Sequence, residues 1–120
     1  MRANLLIIDD DAVVAEMIAV CLERAGFAVR MQTGGDSGVR SAREWKPDII
    51  ISDLNMPLVT GSTVRNALSN DDTTRDIPII FISGSGEPPG LTNERRWFLQ
   101  KPFTADQILA AAERAFAVLK

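Results

Sequence analysis

The chain has 120 residues, 46% hydrophobic and 24% charged, a balance that suits one folded domain with a single core and excludes disorder. A net charge of −3 and a pI near 4.9 argue against a nucleic-acid surface, which is usually basic. No apolar run reaches transmembrane length and the amino terminus lacks the layout of a signal peptide, so neither membrane nor export is expected and a cytoplasmic location is the default.

The first predicted element is the strand Leu5-Leu6-Ile7-Ile8, which runs into Asp9, Asp10 and Asp11. Val14, Met17, Ile18, Cys21, Leu22 and Ala25 then recur at three and four residues as the buried stripe of a helix that Asp11 caps and Gly26 ends. Cys21, alone of its kind, reads as a plain buried thiol. Residues 27–31 form a second strand, and the turn Thr33-Gly34-Gly35-Asp36 leads into a helix ending near Trp45. Pro47 opens the Ile49-Ile50-Ile51-Ser52 strand that delivers Asp53; Met56-Pro57 and Gly61 mark a loop, and a short helix follows over residues 62–69. A fourth strand, Ile79-Ile80-Phe81-Ile82, ends at Ser83, and a fifth, Trp97-Phe98-Leu99-Gln100, ends at Lys101-Pro102. Thr104 and Gln107 form a capping box for the last helix, whose buried stripe is Ile108, Ala112, Phe116 and Leu119.

Apolar runs of this kind read as strands buried on both faces of a parallel sheet, and interleaved helices make the sheet doubly wound. In such sheets ligands bind at the carboxyl ends of the strands. Every polar residue that ends a strand here falls there.

Consecutive acids with Asp53 nearby would repel, by about 4 kcal/mol per pair of unit charges at ~4 Å and an effective dielectric of 20. A hard divalent cation such as magnesium offsets that charge and prefers carboxylate and carbonyl oxygens. It also makes the Asp53 carboxylate a plausible nucleophile toward a phosphoryl group, with Lys101 and the Ser83 hydroxyl supplying positive charge and a hydrogen bond. Taken singly these residues have ordinary readings, as a cap, a turn or a solvated lysine. Their joint occurrence at four strand ends points to chemistry.

Asp9-Asp10, Asp53 followed by Met56-Pro57 and Gly61, Ser83-Gly84 and Lys101-Pro102-Phe103 together resemble the receiver domain of two-component response regulators, over essentially the whole chain. The resemblance implies one flavodoxin-like domain over residues 1–120, with a five-stranded parallel sheet in the order 2-1-3-4-5 and helices on both faces. It further implies that Asp53 is the phosphoacceptor and that Asp10 binds Mg2+ directly, with Asp9 acting largely through a water. The Asn55 backbone carbonyl is a further ligand, Ser83 and Lys101 contact the phosphoryl group, and Phe98 is the switch aromatic. The donor is the phosphohistidine of a histidine kinase or histidine phosphotransfer protein, and output is by protein contact, since no output domain is expected in this chain. Such a receiver stands alone or comes from a hybrid sensor kinase. The role given to Lys101 makes it matter more for response than for folding.

Three departures from the family pattern stand out. Ser83 replaces the commoner Thr and lacks the branching methyl that restricts rotation. Phe98 replaces the common Tyr. Gly84-Ser85-Gly86-Glu87-Pro88-Pro89-Gly90 cannot sustain a helix, so the family's helix four, between the fourth and fifth strands, is expected to be short, shifted to residues 91–95, or absent. The competing readings are a pseudo-receiver, which usually loses one of the acid, hydroxyl or lysine positions, and an aspartyl phosphatase of the haloacid dehalogenase type, which wants a second acid where Asn55 stands.

Overall fold

A computed structural model of the chain describes residues 2–56 and 61–119. Pro57, part of the expected Met56-Pro57 signature, lies outside the described residues. In chain order the elements are β1 (Asn4–Ile8), α1 (Ala12–Arg24), β2 (Ala28–Gln32), α2 (Gly35–Trp45), β3 (Ile49–Asp53), α3 (Gly61–Ser69), β4 (Ile79–Ser83), β5 (Arg96–Gln100) and α4 (Ala105–Ala117). The strands form one sheet in the order β2-β1-β3-β4-β5, every neighbouring pair parallel, which is the expected doubly wound arrangement.

Side-chain alternation sorts the Ile-rich strands onto two faces. Leu5, Ile7, Ile49, Ile51, Ile80 and Ile82 pack with Ile18 and Leu22 of α1 and Ile108 of α4. Leu6, Ile8, Ile50, Ile79 and Phe81 pack with Ala42 of α2 and with Val64 and Leu68 of α3. Burying both faces of β1, β3 and β4 is what allows unbroken apolar runs there. On the second face Gly38 lets α2 seat directly on β1, because a Cβ at that position would come within 2.6 Å of the Ile8 side chain. That close approach offsets the cost of a helical glycine, about 1 kcal/mol relative to Ala.

Both expected helix starts are formed. Asp11 caps α1, its Oδ1 accepting from the Val13 and Val14 amides. At α4 the Gln107 amide donates to Thr104 Oγ1 and the Thr104 amide to Gln107 Oε1, a reciprocal capping box. Two members of the predicted stripes face outward instead. Met17 is 60% exposed, on the outer face of α1 with Val13 and Val20, while Ala15, Ile18, Ala19 and Leu22 fill the interior. Leu119, 40% exposed, lies beyond the end of α4, where the helical period no longer applies.

The fifth strand also departs from expectation. Trp97, Phe98 and Leu99 are half-buried, not enclosed. The cause is its position at the sheet edge, next to a crossover that forms no helix: residues 84–95 contain only bends, turns and an isolated bridge between Asn93 and Arg96. In place of a helix, that crossover inserts one buried side chain, Leu91, into the Phe81 face, where Phe98 also packs.

Candidate functional site

Because all strands are parallel, their carboxyl ends meet on one edge of the sheet. Backbone bonds extend the ladder just far enough to hold the polar residues there. The Asp9 amide donates to the Gln32 carbonyl at 3.0 Å, Leu54 to Ile82 at 2.9 Å and Lys101 to Ser83 at 2.7 Å. Asp53 and Ser83 are themselves the last residues of β3 and β4.

At this edge Asp9, Asp53 and Ser83 are buried and Asp10 is exposed. Lys101 Nζ lies 3.2 Å from Asp9 Oδ2 and 3.2 Å from Asp53 Oδ2, so one ammonium bridges two buried carboxylates. The other oxygens are held by turns: Asp9 Oδ1 accepts from the Asp11 amide and Asp53 Oδ1 from the Asn55 amide, each at 2.9 Å. Asp9, Asp10 and Asp53 each offer a carboxylate oxygen within 4.8 Å of the others. Hard, anionic oxygens gathered at that spacing fit a magnesium ion. Of the expected site residues, Asp9, Asp10, Asp53 and Lys101 thus converge directly. Ser83 joins through Asn55, whose side-chain amide donates to Ser83 Oγ. Phe98 stands apart on β5, paired with Phe81 two residues before Ser83 and on the same face of the sheet.

Two features of the site carried no sequence signal as strong as the acids. The side chain of Asn55, expected to contribute only its carbonyl, contacts Ser83, and the Ser85 amide donates to Ser83 Oγ at 3.0 Å. An amide two residues past an acid is common in turns, and a backbone N–H has no residue signature at all.

Burial pushes the Asp9 carboxyl up to about 6 from its ordinary 3.8; the nearby Asp53 charge adds to this, and the Asp11 amide and Lys101 oppose it. Burial pulls the Lys101 ammonium down, but the charges of Asp9 and Asp53 and hydrogen bonds to both outweigh it, and the net shift is upward. The Asp9 shift has a consequence for stability. Between its unfolded value of 3.8 and its folded value of about 6, the folded state binds the extra proton, so stability falls as pH rises through that window. The penalty falls on metal-free protein and is complete only once pH has passed the folded value of about 6. Denaturation of wild type and Asp9→Asn in chelator at pH 4 to 7 measures it. The difference between the two should grow against the wild type as pH rises, and a constant difference would contradict the shift.

Residues 5–113 match the family described as the response regulator receiver domain. The chain belongs to that family. As a receiver it is 34% identical to the DNA-binding dual master transcriptional regulator RpaA of Synechocystis over 89% of this chain and 46% of that protein. It is also 34% identical to the phosphate regulon regulatory protein PhoB of Pseudomonas aeruginosa, over 98% of this chain and 52% of that protein. The receiver thus spans about half the length of these relatives. Among solved structures it superimposes on the chemotaxis response regulator CheY4 of Vibrio cholerae with a TM-score of 0.84 and 26% identity, covering 96% of this chain and 99% of that one. A response regulator of Chloroflexus aurantiacus gives a TM-score of 0.85 at 26% identity, over 98% and 99% of the two chains. The receiver is a signalling domain of two-component phosphorelays, and among its described residues no helix is long and apolar enough to cross a membrane.

Proposed function

We propose that residues 1–120 act as one phosphoaccepting receiver. It takes a phosphoryl group onto Asp53 from the phosphohistidine of a histidine kinase or histidine phosphotransfer protein, and it signals by protein contact in the cytoplasm without binding nucleic acid or membrane itself. The observation that carries this reading is the placement of Lys101 Nζ at 3.2 Å from both Asp9 and Asp53, with the Ser83 hydroxyl on the adjoining strand end. Acid, hydroxyl and lysine are all in place. A pseudo-receiver usually loses one of these positions, and Asn55 stands where an aspartyl phosphatase needs its second acid.

In the proposed reaction an Asp53 carboxylate oxygen forms a bond to phosphorus as the P–N bond to the donor imidazole breaks, and the electron pair returns to the imidazole nitrogen. Asp9, Asp10, the Asp53 carboxylate and the Asn55 backbone carbonyl would hold Mg2+, which when bound neutralises charge on the carboxylates and on the transferring group. The Asn55 amide orients Asp53 through its Oδ1. Lys101, already directed at Asp53 Oδ2, would pass to the equatorial oxygens of the phosphoryl group, and Ser83 would donate to another. The donor protein would find an apolar surface beside the site, since Val13, Met17 and Val20 line the outer face of α1 from two residues past Asp11.

Response would follow from movement of Ser83 toward the phosphoryl group and of Phe98 into the space released, a two-state element biased by local charge. With no helix between β4 and β5, the surface that changes would be built from β5 and α4. Trp97, half-buried against the α4 side of the sheet, lines a groove of about 440 Å³ there with Arg96, Gln107 and Arg114. Intact-mass measurement with a small phosphodonor tests the central claim. One phosphoryl group should add in the presence of magnesium and none in chelator; no addition under either condition would refute the reading.

A further inference from the structure

The Ser83 hydroxyl is a small group with a fixed inventory: one proton to donate and two lone pairs to accept. It ends β4 almost wholly enclosed, and both of its acceptor positions are taken, one by the Asn55 side-chain amide and one by the Ser85 backbone N–H at 3.0 Å. What remains to it is donation. Asn55 thereby holds two groups at once, because its backbone N–H grips Asp53 Oδ1 while its side chain grips Ser83 Oγ across the neighbouring strand end.

We propose that the Asn55 side-chain amide is a positioning residue that fixes the Ser83 hydroxyl as a hydrogen-bond donor toward the phosphoryl oxygens arriving on Asp53. The proposal rests on the phosphoacceptor reading and deepens it. Serine lacks the second Cβ substituent that narrows χ1 in threonine, so its hydroxyl needs another restraint. The amide supplies that restraint by hydrogen bonding where threonine would supply it sterically. Because Asn55 is solvent-exposed and makes this contact from a turn, its truncation leaves the core untouched.

Two measurements test the idea. In metal-free, unphosphorylated protein, nitrogen-15 NMR should show one of the two Asn55 side-chain protons shifted and slowed in exchange, and Ser83→Ala should return it to the position of a solvated amide. An amide signal indifferent to Ser83→Ala would overturn the proposal whether or not the protein is ever phosphorylated. The second measurement is a cycle of Asn55→Ala, Ser83→Thr and the double variant, followed by phosphorylation rate with a small phosphodonor and magnesium. Asn55→Ala should slow the reaction by about three- to tenfold, the scale of releasing one rotamer restraint. In the Ser83→Thr background the same change should cost little, since the methyl takes over the restraint. An equal loss in both backgrounds would overturn the proposal that Asn55 supplies the rotational restraint serine lacks. If wild type accepts no phosphoryl group, the phosphoacceptor reading fails while the NMR result still decides the hydrogen bond.

Discussion

Asp53→Asn is expected to leave no phosphorylated protein above the level of a control without phosphodonor. The amide is isosteric and its oxygen retains the bond from the Asn55 N–H, but it has no anionic oxygen to attack phosphorus. The neighbouring acids cannot take over with the same geometry. Asp9 is fully buried behind the Lys101 bridge, and Asp10 lies on the exposed side of the cluster. The fold should survive, since the substitution removes one of two buried charges that repel each other, and far-UV circular dichroism provides the control. Labelling of a folded Asp53→Asn variant at the wild-type rate would move the acceptor elsewhere.

The second large effect concerns Lys101. By the family resemblance it contacts the phosphoryl group, a role that makes it matter more for response than for folding, but its bridge to Asp9 and Asp53 gives it a structural part as well. Lys101→Ala strands two buried carboxylates without their counter-charge. Breaking a buried pair by removing one partner costs roughly 3–5 kcal/mol, a large share of a total stability of about 5–15 kcal/mol for a domain of this kind. The side chain keeps partial solvent access, so the lower end of that range is expected. Magnesium should recover most of the loss, because a bound cation takes over the neutralisation of the same oxygens and stabilises the folded state by about 2.7 kcal/mol at 100 times its dissociation constant. Chemical denaturation of the variant in chelator and in saturating magnesium separates the two states. The gap from wild type should be large in the first and small in the second. An equal gap in both would mean that lysine and metal do not answer the same charges.

Much of this receiver is legible in the sequence because the relevant information is local. Unbroken Ile-rich runs announce strands buried on both faces; the Thr104 and Gln107 spacing announces a capping box; residues 84–90 announce that no regular helix can run through them, while a short one over 91–95 stays open in the sequence and only the structure shows none there. Polar residues ending four such strands also point to one candidate edge, since strand ends in a parallel sheet share one side. Where pattern reading failed, the reason was that a period fixes which residues share a face and not how far that face is covered. Met17 belongs to the spacing of the α1 stripe yet points outward, and β5 carries an apolar run yet lies half-exposed at an edge where only Leu91 replaces a helix. Only tertiary structure decided the partners. Lys101 reaches carboxylates 92 and 48 residues away in the chain, and Asn55 meets a hydroxyl 28 residues away. Such contacts depend on which strands become neighbours and in what register, and no local periodicity encodes the meeting of two strand ends.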